Sequence, residues 1–307
     1  MAPSLARDLA LEQRAFLRRN RAGWADHLAR VRSFLGEGLQ AADPKAKVLI
    51  LGAGSGLEVP WRLAPPSAVG WDADPLSRIR TLLRHGRLAP WVFEDLTGGM
   101  AELSATAYRT VREPWSGRIR AARTVSRRLA GLLGSLKPNP GPLRAWIGQH
   151  RPGTILAANV MGQFGVVAQR GVERAFGGRS IWTQDPEQVD PLEEAVSAWT
   201  ARAVRAFLAA LVESGADLWL VHDRGVLFGH QPATLAPMEE PWTAQLRAAG
   251  PLEASDPLCG VDVLCEIKDR IPEKHQRWLW PVGQGQCQIM EAIRIPPPAA
   301  FLSHNPN

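Results

Sequence analysis

The chain predicts an α/β fold around a mostly parallel sheet, and three observations carry that expectation. Val48-Leu49-Ile50-Leu51 is an uninterrupted aliphatic run, too short for a helix face and suited to a strand buried on both sides. Gly52-Ala53-Gly54-Ser55-Gly56 follows it at once, a turn in which the backbone can double back and a ligand can approach with no Cβ in the way. A second apolar run, Ala68-Val69-Gly70-Trp71, then ends in Asp72, which lies 72 − 52 = 20 residues beyond the first glycine. An acid at that distance after a glycine turn is placed to hold ribose hydroxyls in nucleotide-binding α/β folds.

The remaining elements follow in order. Residues 5 to 40 are helix-forming, with Leu9, Phe16, Trp24, Leu28, Val31 and Leu35 at roughly helical spacing. They read as two helices broken near Arg21-Ala22-Gly23, an N-terminal extension over residues 1–45 that ends at Ala42-Asp43-Pro44. The main domain is expected over 46–307. Leu57 to Leu63 reads as the helix after the glycine turn, its free N–H groups pointing back into that turn. Ala89 to Phe93 is a third strand leading to Glu94-Asp95, and residues 99–152 form a mainly helical insertion in which Lys137-Pro138-Asn139-Pro140-Gly141-Pro142 stops any helix. Thr154 to Ala158 is the fourth strand and ends at Asn159. Pro186 to Ser214 is a long amphipathic helix whose apolar side carries Val196, Trp199, Val204, Phe207, Leu208 and Leu211. Asp217 to Val221 is a fifth strand running into His222-Asp223-Arg224. Gly260–Glu266 and Gln286–Ile295 alternate as the two strands of a closing hairpin, with Trp278-Leu279-Trp280-Pro281 leading to the second.

Composition narrows the function classes. Three cysteines, Cys259, Cys265 and Cys287, are widely spaced and lack a C-x-x-C, so neither a disulfide framework nor a bound metal is expected. Arg7, Asp8, Glu12 and Arg14 interrupt the N-terminal apolar residues, and no run approaches the ~20 apolar residues of a membrane span, so a cytoplasmic protein without a membrane partner is expected. The net charge is +6, with seven arginines between Arg109 and Arg128 against only Glu113. That segment is either a cationic wall that attracts an acidic substrate or the solvated face of an inserted helix. Few aromatic residues interleave with it for base stacking, so nucleic acid is not the favoured partner. Oligomeric state is left open.

The glycine spacing discriminates between ligands. A dinucleotide fingerprint needs glycine at position 57, where this chain has Leu57. Gly52-x-Gly54-x-Gly56 followed by Gly70-Trp71-Asp72-Ala73-Asp74-Pro75 instead resembles the Rossmann-like S-adenosylmethionine-dependent methyltransferases. The resemblance implies a mostly parallel central sheet with an antiparallel C-terminal strand, and S-adenosyl-L-methionine as cofactor. It assigns Gly52, Ala53, Gly54, Ser55 and Gly56 to the amino-acid end of that cofactor, Asp72 to the ribose, and Ala73 and Asp95 to the adenine. Ile50 departs from the pattern, since many members carry an acid two residues before the first glycine. Asn159, at the fourth-strand end, is expected to face the reactive sulfur.

Asn159-Val160-Met161-Gly162-Gln163-Phe164 resembles the fourth motif of a subset of the family. It is not the Asn-Pro-Pro-aromatic loop of enzymes that methylate exocyclic base amines. The expected catalytic residues are Asn159, which orients a substrate hydroxyl or else caps the following helix, and His222, a general base near neutrality or else a hydrogen-bonded rim residue. The function expected is methyl transfer to an unidentified acceptor, a small molecule rather than nucleic acid. Two alternatives remain, a cofactor-binding scaffold without turnover and an aminopropyl-transferring relative.

Overall fold

A computed structural model describes residues 21–54, 56–112, 122–178, 190–228, 254–267, 270–283 and 285–298. Val48–Leu51 forms β1, Ala68–Trp71 β2 and Thr154–Ala158 β4, with every residue of β1 and β4 buried, as an aliphatic strand inside a parallel sheet requires. β3 is only Trp91–Val92, and β5 runs much further than expected, Asp217–Phe228. A two-residue strand β6 (Ala254–Ser255), then β7 (Lys274–Gly283) and β8 (Gln286–Ile295), complete the set.

The strands lie in the order β3-β2-β1-β4-β5-β8-β7, and β6 pairs with the far end of β5. β1 to β5 are mutually parallel; β8 is antiparallel to β5, and β7 is antiparallel to β8. This strand order, with a reversed strand beside β5, is the Rossmann-like methyltransferase fold.

Alternate side chains of each strand feed two cores. Leu49, Leu51, Ile155, Ala157, Leu218 and Leu220 face the first, beneath helices α3 (Met100–Arg112), α4 (Ala122–Ser135), α5 (Gly141–His150), α6 (Met161–Ala175) and α7 (Pro191–Glu213). Val48, Ile50, Leu156, Ala158, Trp219 and Val221 face the second, covered by α1 (Arg21–Ala41). The short α2 (Ser77–His85) follows β2, and a single helical turn α8 (Val263–Glu266) precedes β7. α3, α4 and α5 occupy the stretch read as a helical insertion, and the turn before α5 holds the proline cluster. α7 is long and apolar enough to cross a membrane by length and composition, and Val196, Trp199, Val204, Phe207, Leu208 and Leu211 are all buried in the first core. It begins at Pro191 because Asp190 accepts from Leu192 N at 2.8 Å and proline suits the first helical position. Residues 186–189 of the predicted helix lie outside the described residues.

Two expectations need correction. The segment after the glycine turn is not an α-helix: Pro60 has no N–H to donate, so only the 3₁₀ turn Trp61–Leu63 forms before Pro65 and Pro66. Gly260–Glu266 is not a strand. Asp256 accepts from Leu258 N and Gly260 N, and Asp262 from Leu264 N and Cys265 N, so local side-chain bonds fold the segment into a turn and α8; β7 is the Trp278-containing run itself. Gly23 lies within α1, where a Cβ would meet the Pro281 carbonyl oxygen at 2.7 Å; the break expected near Arg21 borders residues outside those described. Leu9 and Phe16 fall outside the described residues.

Candidate functional site

The carboxyl ends of β1, β2, β4 and β5 converge on the glycine turn, and each glycine there answers a different demand. Gly52, Gly54 and Gly56 all have left-handed backbones, with φ of 64°, 51° and 67°. A Cβ on Gly52 would sit 2.7 Å from Val160 Cβ, so this glycine lets the loop close against the end of β4. On Gly56 it would press on Thr81 and His85 of α2, whose His85 Nε2 meets the Gly56 carbonyl at 2.7 Å. Gly54 is not crowded in this way: a Cβ there would make ordinary van der Waals contact with the Gly52 carbonyl at 3.6 Å and Asp72 Oδ2 at 4.0 Å. Ser55 lies outside the described residues. Ala53 is buried in the second core, as is Ile50, so the position where many family members carry an acid is filled by packing.

Asp72 is held in place by the chain's own amides. Its Oδ2 accepts from Gly54 N at 2.7 Å and its Oδ1 from Asp74 N at 2.8 Å. The Ser77 side chain is a third hydrogen-bonding neighbour, and since a carboxylate has about four lone-pair sites, these three partners do not use up its accepting capacity. Burial pushes the Asp72 pKa up and Asp74's charge adds to this, while the two amide bonds and the Ser77 side chain oppose it. Asp74 is committed to α2, accepting from Leu76 N and pairing with Arg80. Ala73 is exposed beside them.

Asp95 is a correction. Its Oδ1 accepts from Thr97 N and Thr97 Oγ1 at 2.9 and 2.8 Å, and its Oδ2 from Gly99 N and Met100 N at 3.1 and 2.7 Å. Its lone pairs are used in starting α3, which leaves none for an adenine amine.

The β4–β5 side of the rim holds a second constellation. Asn159 has φ 49°, a left-handed conformation that asparagine tolerates better than most side chains, and its N–H is tied to Val221 O at 2.8 Å. Its side chain hydrogen-bonds Asp223, which is fully enclosed and whose pKa burial and the Glu58 charge push up to about 7 against that bond. Gly162 makes room for it, since a Cβ there would lie 2.6 Å from Asp223 Oδ2. Among the described residues, Asp223 Oδ1 and Asn159 Oδ1 are both buried without a hydrogen-bond partner.

Glu58 reaches this corner from the glycine-turn exit and is anchored by α1. Trp278 Nε1 donates to His27 Nδ1 at 3.2 Å, and because an indole nitrogen can only donate, His27 carries its proton on Nε2, 3.2 Å from Glu58 Oε1. The His27 ring stacks on Trp280 at 3.7 Å, and Arg32 Nε donates to Leu57 O at 2.7 Å, so α1 grips both residues that follow the turn.

His222 is the second correction. Neighbouring strand residues point to opposite faces, and it is Asp223 that joins Asn159. His222 lies wholly buried on the other side, its Nε2 3.2 Å from Glu291 Oε2, and burial drives its pKa down to about 4. Glu291 is also shared with His275 and Arg277, at 2.7 Å from each. A neutral, enclosed imidazole in that setting is a structural member of the β5–β8 pairing. Asp223, Glu58 and His27 are the residues sequence reasoning missed. The signal for Asp223 was present in His222-Asp223, whereas nothing in the spacing connects His27 to Glu58.

No family model matches the chain, and no curated protein sequence does. Among solved structures it is similar to the N-methyltransferase NodS from Bradyrhizobium japonicum WM9. The NodS complex with S-adenosyl-L-homocysteine aligns over 90% of this chain and 88% of its own at 10% identity, TM-score 0.35. NodS in a second structure aligns over 90% and 98% at 12% identity, TM-score 0.38. A structure described as the conversion of a disulfide bond into a thioacetal group during echinomycin biosynthesis aligns over 86% and 83% at 12% identity, TM-score 0.32. At these scores the fold assignment stands on the chain's own strand order.

Proposed function

We propose that this chain is an S-adenosylmethionine-dependent methyltransferase acting on a small molecule. The observation that carries the reading is the pairing of Asp72 with Gly54: an acid directly after β2, oriented by two backbone amides, beside the uncrowded left-handed glycine of the β1 turn. A vicinal diol fits such a carboxylate, and ligands of open α/β sheets bind beyond the carboxyl ends of the strands.

These residues suit an adenosyl group. Asp72 takes the ribose hydroxyls, Gly54 lets the ligand lie against bare backbone, and Ala73 leaves space beside the base. Gly52 brings the β1 turn against β4, so that Asn159 comes next along the rim. S-adenosylmethionine, when bound, supplies a methyl group on a positively charged sulfur that is already activated for displacement. The protein's own task is then to align an acceptor with that carbon and to exclude water, and alignment alone supplies a large part of such an acceleration. The small-molecule reading is favoured because Arg109 donates to Thr106 Oγ1 at 3.2 Å and the Arg112 guanidinium lies 5.4 Å from the Tyr108 ring centre, so these arginines are engaged with their own helix.

Titration calorimetry with S-adenosylmethionine and S-adenosylhomocysteine tests the reading. Wild type binds both, and Asp72→Ala loses about 1.5–3 kcal/mol of affinity, roughly ten- to hundredfold, as expected for hydrogen bonds to a charged group. Equal affinity in the two proteins removes Asp72 from the site, and no binding by wild type overturns the assignment.

A further inference from the structure

We propose that the end of β4 and the adjoining middle of β5 form the acceptor subsite for a primary amine, with Asp223 receiving the amine's proton and Asn159 orienting its nitrogen. The inference deepens the methyltransferase reading and rests on it for the transfer step, though not for the binding of the amine.

The argument starts from missing donors. Asp223 Oδ1 and Asn159 Oδ1 are both buried acceptors with no partner among the described residues, although Asp223 is only 2% and Asn159 only 6% exposed. Buried polar atoms in native structures are paired in the great majority of cases, so two orphaned acceptors side by side mark a place that a ligand completes. What completes it must bring hydrogens. A carboxylate brings none and a hydroxyl one, whereas an ammonium brings three and a positive charge. The charge is matched as well: Glu58 lies close enough to act on Asp223. His27 holds Glu58 from its other side through Nε2. Gly162 supports the same reading, because any side chain there would collide with the Asp223 carboxylate.

Position separates this subsite from the nucleoside subsite. The sheet order runs β2, β1, β4, β5, with Asp72 directly after β2 and Asp223 on β5. With neighbouring strands about 4.8 Å apart, Asp223 lies two strands past the glycine turn, on the side away from Asp72. A nucleoside gripped by Asp72 leaves that side for the acceptor.

The step balances. The bound ammonium gives one proton to the Asp223 carboxylate, and the nitrogen lone pair so freed forms the new N–C bond to the methyl carbon. The C–S bond breaks as that bond forms, and its electron pair stays on sulfur in the thioether of S-adenosylhomocysteine. The product leaves as an N-methyl ammonium, and Asp223 returns its proton to water.

Calorimetry of the full chain with saturating S-adenosylhomocysteine tests this, using hexylamine, phenethylamine and spermidine against hexanol and hexanoate. At least one amine is expected to bind, with both controls silent. Asp223→Asn should weaken that amine about tenfold or more while S-adenosylhomocysteine stays within about twofold, which also shows the variant is folded. Gly162→Ala, which displaces the carboxylate without removing it, should weaken the amine in the same way. The proposal is overturned if no amine binds a wild type that does bind S-adenosylhomocysteine, if hexanoate binds as well as the amines, or if Asp223→Asn leaves amine affinity unchanged. It is also overturned if Asp223→Asn weakens S-adenosylhomocysteine instead, since the pair then serves the ammonium of the cofactor itself. Amine binding without any S-adenosylhomocysteine binding supports the subsite and sinks the methyl-transfer reading.

Discussion

Burial and the Glu58 charge raise Asp223 from an ordinary carboxyl pKa to about 7, and the Asn159 hydrogen bond only partly opposes them. The sign of the consequence follows from linkage. In the unfolded chain this group loses its proton near 3.8, and in the folded chain near 7, so between those values the native state binds more protons and stability falls as pH rises. Asp223→Asn cannot titrate. Its melting temperature relative to wild type should therefore climb from pH 4 to pH 7 and level off above, measured by thermal unfolding across that range; a flat difference contradicts the placement of Asp223. His222 tilts the other way, because its lowered pKa means that stability is lost as pH falls from 6.5 toward about 4. The difference between variant and wild type cancels that background. At this scale the sequence was half legible. Asp72 could be read from its distance to Gly52, since that spacing is local. The choice between His222 and Asp223 could not, because it depends on which face of β5 meets Asn159, and Asp95 was misread because its donors at Thr97, Gly99 and Met100 belong to a helix start hidden in Leu96-Thr97-Gly98-Gly99.

Among the elements, α1 shows how a glycine can carry a packing arrangement. Gly23 lies under the Pro281 carbonyl and Gly38 under the Trp219 ring, each with a Cβ position only 2.7 Å from its neighbour. Between them Val31, Phe34 and Leu35 are fully or almost fully buried. Gly38→Ala would ordinarily favour a helix by up to about 1 kcal/mol, but here it overpacks a rigid indole and should destabilise by about 1–3 kcal/mol in chemical denaturation. A more stable variant would show that α1 can shift along the sheet. Apolar spacing alone revealed this helix, as it did α7 and the buried β1 and β4. It failed for Leu57–Leu63, where Pro60 overrode the pattern, and for Gly260–Glu266, where Asp256 and Asp262 offered the backbone closer partners than a neighbouring strand could.

For the molecule as a whole, binding and stability are linked through the same rim. A ligand present at a hundredfold its dissociation constant adds about 2.7 kcal/mol to the native state, which in a protein of this size raises the melting temperature by roughly 5 °C. S-adenosylhomocysteine should produce such a shift in differential scanning calorimetry, and the shift should shrink sharply in Asp72→Ala. No shift at saturating concentration would mean that the rim does not bind it.

The clasp between α1 and the final hairpin has a consequence for how the chain is made. Trp24 donates to the carbonyl of Val282, and Trp278 donates to His27, contacts that span 258 and 251 residues. During synthesis the apolar stripe of α1 leaves the ribosome long before the strand that covers it exists. Contacts so distant along the chain close late and slowly, and uncovered apolar surface invites aggregation meanwhile. The Trp24–His27 end of α1 must therefore wait, unshielded or chaperoned, until β7 has been translated.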